Sequence, residues 1–252
     1  MVRQWQCEQP PFVSIRLETV ISNRTCRGEK PTLALISAAA SARMAVAESL
    51  MNLAAADIKS GPKNGDLKRV KLSANWMAAV NHPGEGADLY EAVHAIGMEL
   101  CPQLGVSIPV GKDSTSMKAS WKDRATNEAK SVTAPVSVVI SAFALVDDVR
   151  KTWTPQLRRV EEVGETALFF VDLGLGHKAM GGSALAQCLG QIGNEAPDVR
   201  NTGLIKAYFE ALWKLHQVRF NFVQDAKYMS MLIRPCRRRL SSPTTTALTA
   251  VS

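Results

Sequence analysis

The chain has 252 residues, enough for one large domain or two small ones with a sizeable buried core. With 46% hydrophobic and 21% charged residues it has the composition of an ordinary globular protein, which excludes low-complexity and disordered classes. A net charge of +7 points to an anionic partner, but the excess is confined to the ends: residues 1–27 carry +2 and residues 218–252 carry +5, so residues 28–217 are neutral. A nucleic-acid-binding fold needs its basic side chains on one folded face, and this distribution argues against nucleic acid as a partner.

Cys7, Cys26, Cys101, Cys188 and Cys236 form no CxxC pair, and His82, His94, His177 and His216 are not at zinc-finger spacing. Scattered thiols of this kind fit a reducing, cytoplasmic setting, and Cys101 and Cys188 are expected to be buried and inert. No apolar run approaches the roughly 20 residues of a membrane-spanning helix. Arg3, Gln4, Gln6, Glu8 and Gln9 interrupt any signal-peptide core.

In chain order, Leu33–Ile36 reads as a short buried strand entering a long helix from Ala38 to about Asp57, rich in Ala, Met, Leu and Glu. Gly61, Pro62, Asn64 and Gly65 mark a loop, after which Leu67–Leu72 alternates charged and apolar residues as a half-buried strand does. His82-Pro83-Gly84 is a turn leading into a helix from Glu85 to Leu100, closed by Pro102. Val106–Val110 is a strand end, and Gly111 turns the chain. Lys118–Lys130 resembles a hairpin loop, and Val136–Ala144 is a buried, β-branched strand. The charged stretch Arg150–Gly164, with Pro155, reads as a linker. A strand at Ala167–Gly174 and helices at Ser183–Leu189 and Leu204–Gln217 make a second unit.

Three patterns could carry chemistry. Glu48 and Asn52 stand four apart on the long helix, on one face and about 6 Å from each other. A carboxylate and an amide oxygen are hard ligands suited to magnesium, although pattern alone reads them as a solvated helix face. Gly111-Lys112-Asp113-Ser114 after a strand could bring backbone amides, a cation and a hydroxyl to a phosphate, but it is not a Walker A loop and is equally a polar turn. Gly181-Gly182-Ser183 opens a helix whose amides could hold an anion, or Ser183 simply caps it. Trp76 reads as core and His82 as a turn residue. No residue is assigned a catalytic role.

The blocks Ala39-Ala40-Ser41-Ala42-Arg43-Met44-Ala45-Val46-Ala47-Glu48-Ser49-Leu50-Met51-Asn52, His82-Pro83-Gly84-Glu85-Gly86-Ala87-Asp88-Leu89-Tyr90-Glu91-Ala92-Val93 and Pro109-Val110-Gly111-Lys112-Asp113-Ser114 together resemble the synthetase core of the phosphoribosylformylglycinamidine synthase family, over roughly residues 28–217. The resemblance implies an α+β fold. Residues 28–150 would form a domain like the N-terminal domain of aminoimidazole ribonucleotide (AIR) synthetase, a sheet covered by helices. Residues 151–163 would be a linker, and residues 164–217 an incomplete counterpart of the AIR-synthetase C-terminal domain. The flanking segments 1–27 and 218–252 would lie outside it.

It also implies an ATP-dependent ligase of purine biosynthesis, joining glutamine-derived ammonia to formylglycinamide ribonucleotide. Glu48 and Asn52 would hold Mg2+ at the nucleotide, with Lys112, Asp113 and Ser114 as binding residues. Residues 6–27 contain no aspartate where the family has a "PVAD"-like ligand segment, and no "HDRSDGG"-like segment follows the last helix. The glutaminase domain is missing as well. The expectation is therefore a fragment, inactive alone and in need of the rest of the core, with ends of out-of-frame or unspliced origin and a poorly ordered tail. A non-catalytic nucleotide-binding or scaffold module, and an inactive truncated product, are the alternatives.

Overall fold

A four-stranded sheet with one face covered by helices organises the molecule. The computed structural model describes residues 26–28, 30–59, 66–153, 159–163, 169–217, 223–225 and 230–234. The elements run β1 (Cys26–Gly28), α1 (Pro31–Ala34), α2 (Ala38–Leu53), β2 (Lys71–Met77), α3 (Glu85–His94), a π-helical turn (Ala95–Leu100), α4 (Cys101–Leu104), β3 (Ser107–Ser114), β4 (Lys118–Lys122), β5 (Ala129–Thr133) and β6 (Ser137–Phe143). A 3-10 turn (Val149–Lys151) and α5 (Val160–Val163) follow, then β7 (Phe169–Asp172), α6 (Ala184–Cys188), α7 (Thr202–Gln217), β8 (Val223–Asp225) and β9 (Ser230–Arg234).

The main sheet has the order β1-β6-β2-β3. β6 pairs antiparallel with both β1 and β2, whereas β2 and β3 are parallel, joined by the α3–α4 crossover that a parallel pair requires. β4 and β5 form a separate hairpin, and β7-β9-β8 a small antiparallel sheet. Leu72, Ala74 and Trp76 of β2 and Val138, Ile140 and Ala142 of β6 are buried against the helices. Their register partners put Ser73, Asn75 and Met77 beside Ser141, Val139 and Ser137 on the opposite face.

α2 is buried along most of its length because small residues let it lie close to the sheet. Ser37, in extended conformation, caps it by accepting from the Ala40 amide at 3.2 Å. Ser49, fully buried, donates within bonding reach of the Ala45 carbonyl (3.0 Å) and the Ile140 carbonyl of β6 (3.1 Å), tying helix to strand.

The same core continues into the second half of the chain. Ile205, Tyr208, Phe209 and Leu212 of α7, and Leu173 after β7, belong to one apolar cluster with α2 and the sheet. The last turn of α7 is pinned by His216. Its Nε2–H donates to the Ala54 carbonyl at 3.0 Å, and its ring stacks on Trp153 at 3.8 Å. Nearby, the buried Asp57 carboxylate takes Lys151 at 3.0 Å.

Several local expectations are corrected. Leu33 belongs to a helical turn and not to a strand: Pro31 occupies the first turn, where its fixed φ suits a helix, and Leu35 is left exposed. The strand expected at Leu67–Leu72 begins only at Lys71, because Leu67–Val70 forms a turn closed by the Val70 amide on the Leu67 carbonyl. Pro102 does not end the helical segment. The π-helical turn resets the hydrogen-bond register, Pro102 falls in the first turn of α4, and Gly105 at φ 75° closes it. Gly111 does not turn the chain. β3 runs straight through it to Ser114 as the sheet's edge strand, where Pro109 is tolerated. Lys118–Lys130 is a true hairpin rather than a loop, with its return strand extending to Thr133. In the tail, β9 pairs with both β7 and β8. The remainder of the expectation about residues 218–252, and that about residues 1–25, lies outside the described residues.

Two outcomes follow from the shared core. Phe209→Ala should cost about 3–5 kcal/mol in urea unfolding, in a single transition that also reports the main sheet. Burial pushes the His216 imidazole below the ordinary histidine range, against the opposing pull of the Ala54 carbonyl and Asp57. The unfolded chain therefore binds a proton that the folded chain refuses. This stability is complete above about pH 6.5 and is lost as pH falls toward the depressed folded value. Between about pH 7.5 and about pH 5.5, the urea midpoint of the wild type should drop further than that of His216→Gln.

Candidate functional site

α2 carries the first group of expected site residues. Glu48 and Asn52 lie one turn apart, both half-buried, and Glu48 meets the β1–α1 connection. Lys30, in that connection, sets its Nζ 2.7 Å from the Glu48 Oε1. The Lys30 carbonyl accepts from the Ser41 hydroxyl at 2.6 Å and from the Leu33 amide at 3.1 Å, so the base of this side chain is fixed to α2. The Glu48 position therefore already holds a cationic group. Among the described residues no cluster of three or more His, Cys, Asp or Glu side chains could enclose a metal ion alone. A divalent ion bound here would take Glu48 and Asn52 from the chain and its other ligands from water or phosphate oxygens.

Arg43, one residue of the same helix, was not singled out by its sequence. Its guanidinium grips Asp198 through Nε–Oδ1 (2.8 Å) and Nη2–Oδ2 (2.7 Å), with Glu99 3.4 Å from Nη1. The hydrogen bond to Asp198 holds the guanidinium still more firmly protonated. With Gln103, Arg200 and Thr202 these groups line a polar cavity of about 340 Å³ between α2, the π-helical turn and the start of α7. A bidentate pair of this geometry is a positional clamp between the two halves of the chain. Only the pairing of Arg43 with an acid more than a hundred residues away could have revealed it.

Lys112, Asp113 and Ser114 do not meet Glu48 and Asn52. They lie in β3, at the sheet edge remote from β1, with three strand spacings, roughly 14 Å, between the two edges. Lys112 and Ser114 share the uncovered face with Asn75 and Met77, their register partners in β2. The Lys112 Nζ donates to the Ser114 Oγ at 3.0 Å. Asp113, opposite Trp76, falls on the helix-covered face instead. The buried side chains of β2 and β6 stand between Lys112 and Ser114 on one side and α2 on the other, so the expectation of one joint site gives way to groups on both sides of a sheet. The role imagined for Gly111 changes as well. A Cβ at this position would run into the Ala74 carbonyl, so the glycine permits close approach of β2 rather than of a phosphate.

The Gly181-Gly182 segment is likewise spent on internal bonding. The Gly181 amide donates to the Glu195 carbonyl at 2.8 Å and the Gly182 amide to the Ile192 carbonyl at 2.7 Å. Gly182 adopts φ 66° and accepts from Thr32 Oγ1 at 2.7 Å, and Ser183 caps its own short helix. Here the capping reading holds. Trp76 is core, and His82 sits in its turn with Nδ1 3.3 Å from the Lys118 Nζ. Cys101 is buried, which pushes its thiol up to about 11 and makes it inert. Cys188 is exposed, contrary to expectation, because α6 presents no buried residue. Among the described residues no helix is long and apolar enough to cross a membrane.

Comparison with known proteins fits this architecture. Residues 1–145 match the family described as the FGAR-AT PurM_N-like domain. Over 197 residues, 78% of the chain, the sequence is 55% identical to phosphoribosylformylglycinamidine synthase from Schizosaccharomyces pombe, of which it covers only 14%. Looser likenesses include Thermotoga maritima PurL complexed with AMPPCP, at 13% identity and TM-score 0.49 over 89% of this chain and 34% of that one. The same protein complexed with FGAR gives 11% identity and TM-score 0.46, over 88% and 33%. By the family match and by its identity to the yeast enzyme, the chain belongs to the phosphoribosylformylglycinamidine synthase family, and its match spans 14% of the length of that relative.

Proposed function

We propose that the chain serves the ATP-dependent conversion of formylglycinamide ribonucleotide, with glutamine-derived ammonia, to formylglycinamidine ribonucleotide in purine biosynthesis, as one part of a larger synthetase core. The observation that carries this reading is the Glu48–Asn52 pair. It combines two oxygen donors one turn apart with a place beside Glu48 that already holds a cation. The yeast relative is named as the synthase, which supports the same assignment. Glu48 and Asn52 would hold Mg2+, which would supply positive charge to neutralise nucleotide phosphates. The chain's own contribution is to fix the donors. Burial of α2 fixes the backbone that carries Glu48 and Asn52, Ser49 anchors the same turn to β6, and Arg43 holds the second half of the chain against the helix.

The uncovered face of the main sheet supports the rest of the reading. Lys112 and Ser114 lie on it beside Asn75, Met77 and Val139, and β3 leaves Val110 exposed. Half-apolar sheet faces of this kind are ordinarily covered by another layer. In this proposal another portion of the core covers it and Lys112 and Ser114 bind at that junction, while Asp113 binds from the other face of β3. Alone, the chain holds half of a nucleotide site and performs no ligation. The setting is the cytoplasm, without nucleic acid or membrane.

In a thermal melt, saturating Mg2+ with ATP should raise the midpoint by about 3 °C, since a ligand that binds only the folded chain must stabilise it. Glu48→Gln, compared with its own midpoint in buffer, should show no such rise. Equal responses of the two proteins would remove Glu48 from the site and defeat the reading. Ammonia-dependent turnover by the isolated chain would contradict its assignment as an incomplete part.

A further inference from the structure

We propose that the outer edge of β4 receives an extended strand of a partner polypeptide, one that alternates carboxylate and apolar side chains and pairs antiparallel with Lys118–Lys122. The inference is independent of the Glu48 site. All five residues of β4 are exposed, and among the described residues the strand pairs only with β5. A two-stranded hairpin standing alone is marginal in water, and a third strand is the ordinary remedy. The register shows which backbone groups are free. The Asp123 amide donates to the Glu128 carbonyl at 2.8 Å, and the Ala134 amide to the Met117 carbonyl at 3.0 Å. Hydrogen-bonded pairs alternate along an antiparallel ladder, so Ala119 and Trp121 spend their backbone groups on Val132 and Lys130. Lys118, Ser120 and Lys122 therefore turn amide and carbonyl outward, and none of them is a proline that would blunt the edge.

The side chains specify the guest. Alternation puts Lys118, Ser120 and Lys122 on one face of the hairpin and Ala119, Trp121 and Val132 on the other. Trp121 is 49% and Val132 59% exposed, so the second face offers uncovered apolar surface. The hairpin's own acids are committed elsewhere: Asp123 binds Lys130 and the Ala125 and Thr126 amides, and Glu128 accepts from the Thr126 hydroxyl. Lys118 contacts the His82 ring at 3.3 Å, and neither it nor Lys122 has an acidic partner among the described residues. In an antiparallel pair the guest residues opposite Lys118 and Lys122 share the basic face, which selects carboxylates four positions apart. Those opposite Ala119 and Trp121 share the other face, which selects apolar side chains. A second copy of β4 is the wrong guest. Pairing centred on Ser120 would set Lys118 opposite Lys122, and like charges directly opposite repel.

The test uses the full chain labelled with 5-fluorotryptophan and titrated with the end-blocked peptide Thr-Glu-Leu-Thr-Val-Glu-Thr. The fluorine NMR signal absent from Trp121→Phe is that of Trp121. It should shift saturably with this peptide. Thr-Lys-Leu-Thr-Val-Lys-Thr should bind at least about fivefold more weakly, because two favourable cross-strand pairs become unfavourable. Changing both lysines, Lys118→Glu with Lys122→Glu, should reverse the preference. Ser120→Pro leaves the bonds to β5 intact, since the amide it removes faces outward, and should weaken the acidic peptide at least about tenfold. Equal affinity for the two peptides, or an unaltered affinity in Ser120→Pro, would overturn the edge pairing. So would tighter binding of oligothymidylate than of the acidic peptide at Trp121, which would make the hairpin a nucleic-acid contact. A measurement on the unaltered chain guards against a variant that fails to fold. Raising NaCl from about 0.05 M to about 0.5 M should weaken the acidic peptide several-fold, and an unchanged affinity would count against the charge match.

Discussion

The close packing of α2 against the main sheet is the constraint on which the rest depends. An alanine-rich face lets the helix axis approach β6 and β1, and the buried Ser49 hydroxyl bridges the two elements without leaving a polar atom unpaired. Once α2 is seated, the other positions follow. Glu48 comes out half-buried toward the β1–α1 connection, Arg43 comes out toward Asp198, and the C-terminal end receives His216 through the Ala54 carbonyl. A bulkier residue at Ala42, Ala45 or Ala47, all essentially inaccessible, would lift the helix and disturb all three at once.

Much of this was legible in the sequence, for identifiable reasons. α2 and α7 are long and strongly patterned, and β6 is a β-branched run of the right length, so local propensity and tertiary packing agree. The errors fall where a short signal is ambiguous. Four apolar residues at Leu33–Ile36 suit a strand or a helical turn equally well, and Pro31 decides between them. Gly111 has the look of a turn, but its lack of a side chain serves the neighbouring strand instead. Pro102 ends a helix only when an amide at its position is needed, and the π-helical turn removes that need.

The candidate site was legible residue by residue but not as an arrangement. The spacing of Glu48 and Asn52 fixes their common face, because a helix sets it locally. Whether they meet Lys112–Ser114 depends on strand order, and β1-β6-β2-β3 cannot be read from any window of the chain. The partners Lys30 and Asp198 are non-local for the same reason. They show that two charged residues of the family's helix motif, Arg43 and Glu48, do different work: one ties the halves of the chain together, and the other faces a cation.

The contribution of α7 to the core bears on where the molecule can be cut. The family match stops at residue 145, which invites an expression boundary there. Such a cut would strip away Ile205, Phe209 and Leu212, and would undo the stacked indole and imidazole that seal the far end of α2. What remained would present a greasy trough to solvent and would be prone to precipitate. The stretch that the family model outlines and the stretch whose apolar side chains interlock are different lengths of polypeptide.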